Sequence, residues 1–300
     1  MVGRSIYKAI KKKNLFKIIE CSRKDLDFTN QKAVDMWFKK NKPEVVINAA
    51  GRVGGILDNS TYQPDYLYIN TMIGLNLINS SLKYNVKKLI NLGSACIYPK
   101  KVKQPIKEDS LLSSQLEKSN EGYALAKIVC LKYCQYLKNK LKKDFISIQP
   151  ANLYGEGDNF DLESSHVLPA LVKKFTIAKN QKLKSVEVWG SGNVMREFLN
   201  TEDLSSAILF LLKNKIKEDY INVGSGEQFS IRKLAFMIKK TTGFKGKIFF
   251  NNEYPDGVKR RQIDSKLIKK LGWKAKVTMK NGLIKYCEYY RKEVMPQEKK

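Results

Sequence analysis

No apolar run in this 300-residue chain approaches the length needed to cross a bilayer. A membrane partner is therefore not expected, and the reading is a soluble, cytoplasmic protein. Cysteine is sparse and unpatterned: five residues, an odd number without regular spacing, give neither a disulfide framework nor a zinc site. Free thiols in a reducing compartment fit better, and no metal is expected. Acidic residues are scarce beside basic ones, 29 against 56, leaving a formal net charge of +27. Such an excess suits a nucleic-acid binder. Here, however, the cations are overwhelmingly lysine, spread over every segment, and the basic runs lack the interleaved aromatics that stack on bases. A lysine-rich surface that in part serves an anionic small substrate is preferred, with no nucleic-acid partner. Internal repeats and long low-complexity linkers are also missing.

What is present is an alternation of strand and helix signals. Apolar, β-rich runs occur at "FKIIECS" (16–22), "EVVINAA" (44–50), "KKLINLGS" (87–94) and "FISIQPANLYG" (145–155), with amphipathic stretches near 29–40, 63–84 and 121–142. Continuous apolar strands separated by helices predict a parallel sheet covered on both faces. The fold class is thus α/β, a Rossmann-type doubly wound sheet with its ligand site at the carboxyl ends of the strands. Residues 1–155 are read as this domain. Residues 156–292 are read as mainly a smaller α/β substrate lobe, with some segments returning to the first domain, and 293–300 as a polar tail that frays. Within the lobe, "SVEVWGSG" and "KIFF" read as strands and "PDG" (255–257) as a turn. "TEDLSSAILFLLKN" reads as a helix capped near Thr201 or Asp203, and 279–292 as a terminal helix.

The amino end departs from the expected pattern. A Rossmann domain opens with a strand, a glycine-rich turn and a helix whose amino end meets a pyrophosphate. Here "MVGRSIYKAI" already reads as turn or helix, so the first strand is missing from the pattern, and Gly3 fits the last glycine of such a motif. The basic stretch 1–20 lacks the serine-rich character of a transit peptide and is read as a structural helix followed at once by a strand. Past that strand, Arg23 stands where an arginine accommodates the extra phosphate of NADP.

In "EGYALAK", Tyr123 and Lys127 are four apart and share a helical face. An ammonium beside a phenol favours the phenolate, lowering its pKa toward a range useful in acid–base work. Cys130 and Cys134 continue that face and are read as core. Upstream, "GSACIYPK" puts Ser94 and Cys96 two apart at the end of a strand, where an extended chain points both side chains the same way. Ser, Tyr and Lys in this order, after a parallel array, resemble the short-chain dehydrogenase/reductase superfamily in its extended branch. Within it the chain resembles the GDP-L-fucose synthase family, which are GDP-4-keto-6-deoxy-D-mannose 3,5-epimerase/4-reductases. The segments that carry this likeness are "INAAGRVGGI" (47–56), "LGSACIYPK" (92–100), "NEGYALAK" (120–127), "QPANLYGEGDNFDLESSHVLPAL" (149–171), "VEVWGSGNVMREFL" (186–199) and "YPDGVKRR" (254–261).

The resemblance implies an enzyme using NADP(H), a GDP-sugar substrate and a homodimer formed through helices 63–84 and 121–142. Epimerising C3 and C5 beside a C4 ketone requires removing each α-proton and returning one on the opposite face, which needs an acid–base pair and no metal. The implied catalytic residues are Ser94, Cys96, Tyr123, Lys127 and His166. Cys96 is the thiolate base and His166, the only histidine, its partner acid. Gly3, Arg23, Asp27, Leu92, Gly93, Ser94, Ala95, Lys127, Pro150, Ala151, Asn152, Leu153 and His166 would hold the cofactor. Lys174, Trp189, Arg196, Asp256 and Arg261 would hold the substrate, with Trp189 packing on sugar or base. Ala95 and Ala151 stand where the family commonly has serine and threonine, and Arg261 where it often has lysine. Two other readings remain at this point: another nucleotide-sugar epimerase or reductase of the superfamily, and a truncated, non-catalytic sugar-nucleotide binder. Ala95-Cys96 after the serine, in place of an Asp-Glu pair, argues against a dehydratase.

Overall fold

Ile6 and Ile10 recur one helical turn apart and are the buried positions of the first helix, α1 (Val2–Lys13), whose other face is largely lysine. The structure, a computed structural model, describes residues 1–14, 16–254 and 256–298. After α1 the helices are α2 (Gln31–Asn41), α3 (Ile56–Thr61), α4 (Gln63–Lys83), α5 (Glu121–Leu141) and α6 (Val167–Asn180). They continue with α7 (Thr201–Lys213), α8 (Ile231–Thr242), α9 (Lys266–Lys270) and α10 (Met279–Tyr289). The strands are β1 (Val45–Asn48), β2 (Lys88–Leu92), β3 (Asp144–Pro150), β4 (Asn152–Tyr154) and β5 (Ser185–Trp189). They continue with β6 (Met195–Asn200), β7 (Tyr220–Val223), β8 (Gln228–Ser230), β9 (Lys247–Asn251) and β10 (Arg260–Arg261).

The central sheet has the order β1-β2-β3-β7 and is parallel throughout. Its residues alternate between two apolar layers. Leu89 and Phe145 join Val34 and Phe38 of α2, Ile73 and Leu77 of α4, and Cys130 and Cys134 of α5. Ile90, Ile146 and Ile148 face Ile6 and Ile10 of α1 and Leu204, Ile208 and Leu211 of α7. This is the doubly wound parallel architecture expected from the alternation of apolar runs. A polar row crosses it: Asn48 Nδ2 donates to Asn91 Oδ1 (2.9 Å) and Asn91 Nδ2 to Ser147 Oγ (3.1 Å), each pair being in register. A third apolar cluster, formed largely by α6, α8 and α10, packs against β5, β6 and β8. There β6 pairs with β4, β8 and β10, and β5 with β9.

Three local expectations are corrected. Residues 16–22 form no strand; Phe16 and Ile19 are 44% and 43% exposed. A β-prone run becomes a strand only where a neighbour takes up its N–H and C=O groups, and among the described residues β1 pairs with β2 alone. The cap of α7 is Asn200, whose side chain accepts from the Glu202 N–H, while Asp203 is buried and accepts from the N–H groups of Lys276 and Val277. The tail is engaged at Glu298, which pairs with Lys173 (2.7 Å) and accepts from the Tyr290 hydroxyl (3.0 Å). The expected turn at 255–257 begins on Pro255, which lies outside the described residues, as do Lys299 and Lys300.

Candidate active site

Ser94 leaves β2 and caps a 3-10 turn at Ala95–Ile97, its hydroxyl accepting from the Cys96 N–H at 3.2 Å. The chain is therefore not extended between the two residues, and the same-side argument does not hold; the tight turn sets their directions instead. Both are half-buried and border Tyr123. The backbone of Ser94 is fixed from β3, where Gln149, fully buried, accepts the Ser94 N–H at 2.9 Å. Gly93 permits this crossing, since a Cβ there would run into the Gln149 amide.

Tyr123 and Lys127 lie in the first turns of α5 on the face toward β2. The Lys127 Nζ is buried, donates to the Leu92 carbonyl at 2.9 Å and lies 5.6 Å from the centre of the Tyr123 ring. Burial pushes the Tyr123 phenol well above its ordinary pKa, the Cys96 sulfur adds to this, and the Ser94 hydroxyl pulls the other way. The expectation of a phenol brought down by Lys127 is thus corrected. Burial also lowers the lysine's own pKa, and desolvation is the largest influence on both groups. Tyr123 is held protonated, the form that donates.

His166 is the N-cap of α6. The residue is exposed to solvent, and desolvation of its ring lowers its pKa. The preceding residues tie it to the glycine loop after β1: the Gly55 N–H donates to the Ser164 carbonyl at 2.7 Å. A Cβ on Gly55 would lie 2.6 Å from the Ser165 carbonyl, so only glycine fits there. The same loop reaches Tyr66, whose ring meets Tyr123 edge-on with centroids 6.1 Å apart. Tyr66 donates to Asp58, and Arg52 joins them over the Tyr66 ring while pairing with Asp65 at 2.9 Å.

On the other side of Cys96 stand two arginines. Arg196 and Arg261 are register partners on β6 and β10. Arg261 Nη1 donates to the carbonyls of Ala95 (2.9 Å) and Tyr98 (3.2 Å), lacing the 3-10 turn to β10. Arg196 Nη1 donates to the Val258 carbonyl at 2.6 Å. Burial, and after it the like charge of Arg261, bring Arg196 down to about 10, while Cys96 and Asp256 draw it back up. Asp256 is committed to the β5–β6 turn, accepting from the Ser191 N–H (3.0 Å) and hydroxyl (2.6 Å). Lys174 Nζ and Trp189 stack on one another at 4.6 Å, joined to this patch through that turn.

The expected cofactor residues divide into two groups. Leu92, Gly93, Ala95, Pro150, Ala151, Asn152 and Leu153 lie with Lys127 at the carboxyl ends of β2 and β3; Asn152 Nδ2 donates to the Glu197 carbonyl at 2.8 Å. Gly3 is in the first turn of α1 opposite Ala49, where a Cβ would make ordinary contact at 3.9 Å. Arg23 is exposed on a turn, and Asp27 accepts from the N–H and hydroxyl of Thr29, which lowers its pKa. The structure does not bring Arg23 or Asp27 to the Ser94–Tyr123 cluster. A dinucleotide fits the first group by its donors: Gln149 Nε2 is buried without a hydrogen-bond partner, and one proton of the Lys127 ammonium goes to Leu92, leaving others for ribose hydroxyls.

Sequence reasoning passed over Gln149, Tyr66, Asp58 and Arg52. Gln149 had a signal, a polar residue inside an otherwise apolar strand; the other three had none beyond lying near a glycine-rich loop.

The model of the NAD dependent epimerase/dehydratase family matches residues 1–224. The chain is 43% identical over 290 residues to a GDP-L-fucose synthase of Sinorhizobium fredii, covering 97% of this chain and 92% of that protein. Among solved structures it is similar to a GDP-6-OMe-4-keto-L-xylo-heptose reductase from C. jejuni, with a TM-score of 0.91, 34% identity and coverage of 97% and 94%. It is also similar to a GDP-L-fucose synthetase from Naegleria fowleri bound to NADP, with a TM-score of 0.90, 27% identity and coverage of 98% and 90%.

Proposed function

The chain belongs to the NAD dependent epimerase/dehydratase family, and from that premise we propose that it makes GDP-L-fucose from GDP-4-keto-6-deoxy-D-mannose. It does so by epimerising C3 and C5 and then reducing C4 with NADPH, as an oxidoreductase and epimerase in one site. The relatives named above support the substrate class and the cofactor. The observation that carries the reading is a half-buried thiol, Cys96, beside a protonated phenol, Tyr123, and a half-buried arginine, Arg196.

Ser94 and Tyr123 hold the C4 carbonyl oxygen, and their polarisation of it acidifies the protons at C3 and C5. The Cys96 thiolate removes each proton, with Arg196 as neighbouring countercharge. His166 returns a proton on the opposite face. With its pKa lowered it is neutral at rest; the proton it delivers is taken up from solvent, to which the Cys96 thiol releases its own proton before the second carbon is inverted. Hydride at C4 is what NADPH contributes when bound to Lys127, Leu92–Ala95, Pro150–Leu153 and His166, with Gly3, Arg23 and Asp27 toward its phosphates and ribose. As charge develops on the C4 oxygen, Tyr123 gives it a proton, and Lys127 steadies the phenolate left behind. Lys174, Arg196 and Arg261 face the diphosphate, and Asp256 and Trp189 shape the turn beside it.

Two further proposals concern location and assembly. None of the five cysteines is in a disulfide, which supports a cytoplasmic location, testable by fractionation. Exposed apolar residues along α4 and α5 support a homodimer through these helices. The function itself is tested by supplying GDP-4-keto-6-deoxy-D-mannose with NADPH. The expected outcome is stoichiometric NADPH oxidation and GDP-L-fucose by NMR; a chain that binds NADPH but leaves this ketone untouched does not have the proposed activity.

A further inference from the structure

Tyr66 is fully buried, and a buried phenol needs a partner for its hydroxyl where a phenylalanine of the same shape would need none. The partner is Asp58 on α3, which accepts from it. Gly54 makes room for the pair, since a Cβ there would run into both the Asp58 carboxylate and the Tyr66 hydroxyl. The anchor is itself fixed. Asn59, beside Asp58, is buried, and its Nδ2 donates to the carbonyls of Gly54 (2.8 Å) and Gly55 (2.9 Å), joining α3 to the glycine loop. Arg52 stands 3.7 Å from the Asp58 carboxylate and 4.9 Å from the centre of the Tyr66 ring.

The ring that Asp58 holds leans on Tyr123, at an interplanar angle of 80°. Gln63 lies three residues before Tyr66 on α4 and so on the same helical face. It fixes the backbone on which Tyr123 stands. Its Nε2 donates to the Lys118 carbonyl at 2.9 Å, and its Oε1 accepts the Gly122 N–H at 3.3 Å. A Cβ on Gly122 would lie 2.6 Å from the Gln63 carbonyl. Helix α4 thus sets both the first turn of α5 and the ring that this turn carries. The χ2 well of a tyrosine is broad, so the direction of its hydroxyl depends on what the ring leans on.

We infer that Tyr66 is a positioning residue for the proton donor: anchored by Asp58, it sets the angle at which Tyr123 presents its hydroxyl to the C4 oxygen. This rests on the role given to Tyr123 above and adds to it the pair that aims it. Neither Tyr66 nor Asp58 exchanges a proton in the reaction.

The test is a double-mutant cycle on the full chain, with Tyr66→Phe, Asp58→Ala, the two combined, and Asp58→Asn. Each protein receives GDP-4-keto-6-deoxy-D-mannose and NADPH in deuterated water. The readouts are kcat and KM for NADPH oxidation, deuterium entry at C3 and C5, and melting temperature. The expected result is a fall in kcat of about 5- to 50-fold in Tyr66→Phe and in Asp58→Ala, with KM and deuterium entry held. The combined variant is no slower than the slower single one, because both changes break the same contact. Asp58→Asn still offers an oxygen to the hydroxyl and restores the parent kcat. A parent kcat in Tyr66→Phe would overturn the inference, as would losses that multiply in the combined variant. Asp58→Asn as slow as Asp58→Ala would overturn it too, since the charge and not the hold on the hydroxyl would then matter. Equal falls in oxidation and deuterium entry, with earlier melting, would leave the pair a purely structural role. A Tyr123→Phe protein that reduces the ketone at the parent rate removes the proton-donor role itself, and the inference with it.

Discussion

At Tyr123 desolvation is the largest influence on the phenol and raises its pKa, although an ammonium lies 5.6 Å from the ring. The four-residue spacing to Lys127 was legible because helical geometry alone puts the two on one face. The direction of the pKa change was not, because it depends on how much protein surrounds the ring. A protonated Tyr123 gives its proton at C4 and takes none from C3 or C5, and without its hydroxyl Ser94 still polarises the carbonyl beside them. Tyr123→Phe is therefore expected to slow NADPH oxidation by about 100-fold or more while solvent deuterium still enters the substrate at C3 and C5. Loss of exchange together with reduction would contradict this division. Ser94 and Cys96 show the same limit. Their importance could be read from the segment they occupy, but the 3-10 turn that aims them depends on Gln149 and Arg261, distant in the chain.

Among the elements, the long helices were the most legible. The expected 63–84 and 121–142 are observed as Gln63–Lys83 and Asn120-capped Glu121–Leu141, since three to six turns of apolar periodicity average out local noise. The strand expected at 16–22 failed for the opposite reason: a strand is completed by its neighbour, which lies outside its own sequence. Helices α4 and α5 cross closely at Gly74, where a Cβ would collide with Cys130 Sγ. Their outer faces carry Leu67 and Tyr68 on α4 and Leu125, Val129 and Tyr136 on α5, all exposed. On α5 these recur at helical spacing as one apolar stripe, the kind of surface a subunit interface covers. Light scattering is expected to give twice the chain mass of 34.5 kDa, and Val129→Glu to return it to the single-chain value with the helix content retained. A parent protein that scatters as a single chain at working concentration would show that this stripe has another use.

For the whole molecule, the parallel sheet and its two covering layers were readable from uninterrupted apolar runs, because a strand buried on both faces has no polar alternation. How the later segments return to it was not. The β7 strand joins the central sheet beside β3, and β10 brings Arg261 beneath the 95–98 turn; these are long-range pairings with no local signature. They also give some of the large positive charge a place, since Arg196 and Arg261 stand together next to Cys96 despite their mutual repulsion. The central claim is that one site uses Cys96 to invert two carbons and Tyr123 to reduce a third. It is tested most directly by the stereochemistry of the product that Cys96→Ser makes from GDP-4-keto-6-deoxy-D-mannose and NADPH in deuterated water. The account predicts slow reduction to a 6-deoxy sugar that keeps the D configuration at C3 and C5 and carries little deuterium there. A Cys96→Ser protein that still delivers the L-sugar, deuterated at both carbons and at nearly the parent rate, would contradict it.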